Sequence, residues 1–136
     1  ARLFLRPGLR EKEQESLRMQ ERYTEHTRIL IDGVLRSPGE TDPKLRRAVE
    51  AQAEHLSGRA SSQISQVPRA LERYMTKVAL HAYKITDQDI EALREAGYSE
   101  DAIFELTLSA VLGAGMARLE IGLSALKGDD NATQNP

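Results

Sequence analysis

The segment from Glu100 to Leu126 constrains the fold most, because it is the longest apolar element of the chain. Small residues recur within it at helical spacing, at Ala110, Gly113, Ala114 and Ala117. Small side chains let a second helix approach closely, so we expect a central buried helix or half of a subunit interface. Its charge-free part, 106–117, has 12 residues. A membrane-spanning helix needs about 20, so we expect no contact with a membrane.

Helical signals also dominate the rest of the chain. Apolar residues recur every three or four positions between Glu11 and Arg36, and again after the Asp42-Pro43 start of a second helix. Pro68 opens a third helix, and Thr86 and Ser99 are N-cap residues of a fourth and a fifth. Nothing in the chain alternates like a β-strand. The sequence therefore predicts an all-α protein, a compact bundle of about five helices with a long central apolar C-terminal helix.

A chain of 136 residues is expected to form a single domain. Within it we predict an N-terminal helical arm at 1–40, a helical core at 41–127 and a flexible tail at 128–136. The arm carries an apolar stripe that needs a cover, formed by Met19, Tyr23, Thr27, Leu30 and Val34. It either wraps a neighbouring subunit or folds back on its own chain.

Composition excludes several classes of function. The chain has no cysteine, which excludes disulfides, thiolate zinc sites, iron–sulfur clusters and cysteine peroxidase chemistry. Its net charge of −2 is unlike that of an obligate nucleic-acid binder. Residues 86–106 have the helix-turn-helix shape, but Glu100 and Asp101 at the start of the second helix would repel phosphates. These charges lead us to expect no nucleic-acid partner. No apolar region resembles a signal peptide, so we expect a cytoplasmic protein.

Two polar residues in apolar surroundings are the candidate catalytic residues, His81 and Glu105. Placed side by side, they would form an acid–base pair. Each also has a structural interpretation, His81 as a hydrogen-bonding residue at the edge of the core and Glu105 as a strut between helices. A second set, Glu50, Glu54 and His55, would bind a metal only if His55 turned inward. We therefore predict no metal and no cofactor.

The stretch from His81 to Leu119 resembles a known family. It contains Thr86-Asp87-x-Asp89, then Leu93-Arg94-x-Ala96-Gly97-x-Ser99-Glu100, then Ile103-x-Glu105, and an arginine, Arg118, near the end of an apolar helix. These motifs are similar to the C-terminal half of the alkylhydroperoxidase D-like (carboxymuconolactone decarboxylase-like) proteins. The resemblance covers about a third of the chain.

The resemblance implies an all-helical fold that assembles into trimers or hexamers. Catalytic members of the family reduce peroxides with a Cys-x-x-Cys pair, a histidine and a glutamate. No residue here can take the cysteine roles, so thiol peroxidase activity is excluded. Some decarboxylase and lactone-processing relatives work without cysteines, which would make His55 or His81, with Glu105, the candidates here.

Three functions stay open at this point. The first is a non-redox, homo-oligomeric protein with a structural role or a small apolar ligand. The second is a cofactor-free enzyme that transfers protons through His81 and Glu105. The third is an adaptor whose acidic surface at 86–105 binds a basic partner.

Overall fold

The computed structural model describes Gly8, residues 10–59 and residues 66–132, with side chains through residue 127. Five α-helices follow one another in this part of the chain: α1 (Glu11–Arg36), α2 (Pro43–Leu56), α3 (Arg69–Leu80), α4 (Asp87–Glu95) and α5 (Glu100–Ala132). A single 3-10 turn at Ala82–Lys84 joins α3 to α4, and no described residue lies in a strand. The predicted all-α fold with five helices is confirmed.

Local signals set the helix ends. The side chain of Asp42 accepts a hydrogen bond from the backbone N–H of Lys44 at 2.9 Å, with Pro43 at the first position of α2. Thr86 and Asp89 form a capping box at the start of α4. Gly58 and Gly97 have φ of +102° and +100°, which are conformations that favour glycine, and they end α2 and α4.

Helix α5 is the central element, because α1, α2, α3 and α4 all contact it. Its small residues face α2, where the two helices approach most closely at Gly113. A Cβ atom added there would lie 2.2 Å from the carbonyl oxygen of Glu50. The expectation that small residues on this helix admit a close neighbour is therefore confirmed. The core around this crossing includes Val49, Ala53, Leu71, Met75, Leu93, Leu106 and Ala110.

The end of α5 differs from the prediction. The helix continues to Ala132, so the tail expected at 128–136 begins as helix. Gly128 does not stop it, because one glycine costs an α-helix only about 1 kcal/mol. Residues 133–136 lie outside the described residues, as do residues 60–65 between α2 and α3.

Helix α1 packs on the rest of the protein mainly through its last two turns. Leu35 is its one buried residue among those described. The predicted stripe is largely uncovered, with Met19, Tyr23 and Leu30 each between 57 and 62% exposed. The described part of the arm therefore does not fold back to bury its stripe on its own chain.

By length and composition alone, one helix in the described ranges could cross a membrane, namely α5 over Glu100–Lys127. The stretch without charged residues ends before Arg118 and is too short to cross a membrane. An 18-residue window of α5 is long enough, because up to two charged residues are allowed in it. Of that window, 44% is buried inside the protein. Core helices of soluble proteins pass the same test, so the indication is weak.

Candidate functional site

The carboxylate of Glu105 binds the connection between α1 and α2. It accepts hydrogen bonds from the backbone N–H groups of Glu40 at 2.7 Å and Thr41 at 2.8 Å, and from the Thr41 hydroxyl at 2.5 Å. These contacts join residues more than 60 positions apart in sequence. Glu105 thus fixes residues 37–42 against α5, which is the strut role rather than an open catalytic position.

Arg46 holds the same connection through its carbonyl groups. This side chain projects from α2, and the residue is only 3% exposed. Its guanidinium donates to the carbonyl oxygens of Val34 at 2.5 Å and Thr41 at 3.4 Å, and also to that of Ser37. A buried arginine needs such partners, because an unpaired buried charge is strongly destabilising. Sequence reasoning missed Arg46, which lies among other basic residues with nothing local to distinguish it.

Gly39 makes room for the Glu105 carboxylate. A Cβ at this position would lie 2.4 Å from Glu105 Oε1, so a larger residue would displace the carboxylate. Burial raises the pKa of Glu105, but the hydrogen bonds from Thr41 and Glu40 and the charge of Arg46 outweigh it. The net result is a pKa below the usual value for glutamate. Glu105 is therefore ionised at neutral pH with its oxygens occupied, and it holds no proton to donate there.

His81 lies at the other end of the core from Glu105. It is exposed at the C-terminal end of α3, where its backbone N–H donates to the carbonyl of Lys77 at 2.7 Å. Its ring packs edge-on against Tyr83, with centroids 6.0 Å apart. Arg118 donates to the carbonyl of Ala79, which places this end of α3 beside the Arg118 turn of α5.

The predicted catalytic pair is therefore not assembled in this structure. Glu105 lies 13 residues before Arg118, or about 20 Å along α5. No hydrogen bond or ion pair joins it to His81, and both are described residues. Sequence alone could not reveal this separation, because it depends on where α3 ends relative to α5. The acid–base role of the two residues stays a prediction without a contact that supports it. Arg118 connects α5 to α3, and its partner there is the carbonyl group of Ala79 rather than a charged side chain.

A second group of carboxylates lies where α2 crosses α5. The pKa of Glu50 is raised to about 8. Burial is the largest cause, followed by a hydrogen bond with Glu54 and by the negative charge of Glu54. Arg59 binds Glu54 at 3.1 Å and Glu120 at 3.0 Å. The two glutamates are four residues apart, so they share a helix face. The neutral form of Glu50 is thus favoured beside the carboxyl group of Glu54, which Arg59 binds.

The alternative metal set does not form. His55 is exposed rather than turned inward, and no group of three potential ligands gathers among the described residues. Two grooves on the described surface are open ones. One follows α1 beside Leu17 and Thr24, and another lies beside Arg69 and Arg73. Neither of these two contains His81, Glu105 or Glu50.

Comparisons with protein-family models, with curated proteins and with solved structures find no match for this chain. The resemblance to alkylhydroperoxidase D-like proteins therefore rests on the motifs between residues 81 and 119.

Proposed function

We propose that this chain is the subunit of a homo-oligomer with a structural or small-ligand-binding role, built on an alkylhydroperoxidase D-like helical fold without redox chemistry. One observation carries the proposal: α5 is apolar on two opposite faces, and the described chain covers only one. We call the uncovered side the α5 outer face. It comprises Phe104, Leu108, Val111, Gly115, Leu119, Gly122 and Leu126.

The helical geometry separates the two faces. Residues of the outer face follow one another at intervals of three and four, which places them on one stripe. The buried residues Leu106, Ala110, Gly113 and Ala117 lie on the opposite side of the same turns. A helix that is apolar all round is normally covered all round. The outer face therefore needs a cover that the described residues do not supply.

The size of the outer face supports this argument. Phe104, Val111 and Leu126 are 63, 54 and 67% exposed. Together with their neighbours they offer roughly 400 Å² of contiguous apolar surface, which is in the range of patches that bind other molecules. Among the side chains that the structure describes, Arg118 is the one charged group close to the stripe after its first turn. Such a surface favours apolar packing over recognition of a charged partner.

Native mass spectrometry tests the proposal. We expect masses that are multiples of 15.2 kDa, with a trimer or hexamer as the family resemblance implies. Val111→Lys should dissociate the assembly, whereas Ser124→Lys, at an exposed position on the opposite side of α5, should not. A monomer in detergent-free buffer would contradict the proposal. A requirement for detergent would contradict it too, and would indicate that lipid covers the outer face.

The same spectra separate the two versions of the role. A small additional mass that survives desolvation would identify a ligand and favour the binding role; bare multiples would favour the structural one. A cofactor-free enzyme has less support, because Glu105 is occupied by backbone donors and His81 lies apart from it. We place the protein in the cytoplasm as part of the proposal.

A further inference from the structure

We infer that the α5 outer face is covered by helix α1 of a second copy, and that the two copies exchange these helices reciprocally, which makes the assembly a hexamer of three such pairs rather than a trimer. This inference rests on the proposed function, since it names the segment that completes the assembly. It starts from a second uncovered apolar surface in the same chain. We call this surface the α1 stripe, and it consists of Met19, Tyr23 and Leu30.

The α1 stripe has the form of a docking surface. Its members are separated by four and seven residues, so they lie on one side of the helix over about three turns. Each is more than half exposed, although methionine, tyrosine and leucine are among the residues that gain most from burial. An α-helix without tertiary packing is only marginally stable in water. Because α1 packs mainly through its last two turns, the rest of this 26-residue helix needs a partner.

The area required by a stable dimer favours exchange over pairing of two α5 helices. A specific interface takes about 800 Å² from each partner. Two outer faces packed together would bury roughly 400 Å² from each copy and leave both α1 stripes exposed. In a reciprocal exchange each copy contributes its outer face and its α1 stripe. The contributed area then approaches the usual size, and no large apolar stripe remains uncovered.

The charges of the helices point to the same pairing. Helix α1 carries six acidic and five basic side chains, whereas Glu100–Ala132 carries six acidic and two basic ones. Helix α1 is thus close to neutral and α5 is negative. Two α5 helices side by side would bring together two strongly negative segments. An α1 helix against α5 avoids most of this repulsion, which lowers the electrostatic cost of association.

Cysteine cross-linking tests the inference directly, because the chain has no cysteine of its own. One variant carries Tyr23→Cys on the α1 stripe and another carries Val111→Cys on the α5 outer face. The two are mixed, allowed to exchange subunits and treated with a short bismaleimide. We expect the mixed adduct to dominate. A Glu25→Cys variant, exposed on the opposite side of α1, is the matched control and should give little mixed adduct.

The other outcomes separate this inference from the proposed function. Dominant linkage of Val111→Cys to itself would overturn the exchange while leaving a homo-oligomer intact. An oligomer without any adduct to Tyr23→Cys would do the same. A double variant carries Tyr23→Cys and Val111→Cys in the same chain. Cross-linking within one chain of this variant would show that the arm folds back on its own chain, which would also overturn the exchange. A monomeric mass throughout would overturn both proposals.

A pair of serine substitutions provides an independent test. Leu30 and Ile29 are neighbours with nearly equal exposure, 57 and 58%, but only Leu30 lies on the α1 stripe. Leu30→Ser should raise the dissociation constant of the assembly at least about 10-fold, and Ile29→Ser should change it much less. Both variants lose an apolar side chain of similar size from the same turn, and their helix propensities differ by only a few tenths of a kcal/mol, which is less than the expected 10-fold effect. Equal effects would contradict the inference.

Discussion

Glu50 should make the protein less stable as pH rises from about 4.5 to about 8, and Glu50→Gln should remove this contribution. The pKa of Glu50 is raised from 4.5 to about 8, chiefly by burial and then by Glu54. Between these two values the folded protein holds a proton that the unfolded chain releases. The free energy of unfolding therefore falls as pH rises across this interval. The stabilisation is complete below pH 4.5 and is lost as pH passes about 8.

The magnitude follows from the difference between the two pKa values. Each unit of difference in pKa corresponds to about 1.4 kcal/mol, so the free energy of unfolding can fall by at most about 5 kcal/mol between low and high pH. Water reaches part of the Glu50 side chain and screens its charge, so we expect about 2 kcal/mol. Glutamine stays neutral at every pH, and its amide can donate to the Glu54 carboxylate as the protonated acid does. Glu50→Gln should therefore match the parent near pH 4.5 and exceed it by about 2 kcal/mol at pH 9.

Urea denaturation followed by far-ultraviolet circular dichroism measures this effect, since the chain has no tryptophan. The protein concentration must be held constant, because association contributes to apparent stability. Glu95→Gln is the matched control, as Glu95 is an exposed glutamate on α4. It loses the same charge without the buried environment. If the parent and Glu50→Gln keep a constant difference from pH 5 to pH 9, the assignment of a buried proton to Glu50 is wrong.

Three further variants test the structure. Gly113→Ala should lower the free energy of unfolding by about 2–4 kcal/mol, because the new methyl group would meet the α2 backbone. Gly33→Ala, in open space on α1, should be neutral or slightly stabilising, and thermal unfolding compares the two variants. Glu105→Gln should cost about 1–3 kcal/mol and speed hydrogen exchange at the Thr41 amide, which NMR measures; unchanged exchange would refute the anchoring role. His81→Ala should leave stability within about 0.5 kcal/mol of the parent, since the side chain is exposed, and a larger loss in urea denaturation would contradict this placement.

The parts of the fold that the sequence predicted are those determined locally. Asp42 with Pro43, and Thr86 with Asp89, satisfy backbone donors within a few residues, so the residues themselves specify where helices begin. Gly97 adopts a backbone conformation that most residues avoid, and it ends α4 for the same local reason. Such signals do not depend on how the helices pack.

The candidate site depended on packing, and there sequence reasoning was less informative. Glu105 and Thr41 are 64 residues apart in the chain, and no local pattern connects them. His81 and Glu105 were paired because both lie in apolar surroundings, but a shared type of environment does not give proximity. The Glu50–Glu54 spacing was visible in the sequence, whereas the burial that raises the pKa of Glu50 comes from the crossing of α2 with α5.

The anchoring role of Glu105 bears on assembly as well as on stability. The connection between α1 and α2 is held from one side by Glu105, which binds its N–H groups, and from the other by Arg46, which binds its carbonyls. A connection fixed at both kinds of backbone group cannot swing freely, so the direction in which α1 leaves the core is set by α5 and α2 together. The same helix that presents an uncovered apolar face therefore also helps to set the direction of the arm. A fixed arm favours exchange between copies, because binding a partner then costs less conformational entropy than ordering a flexible segment would.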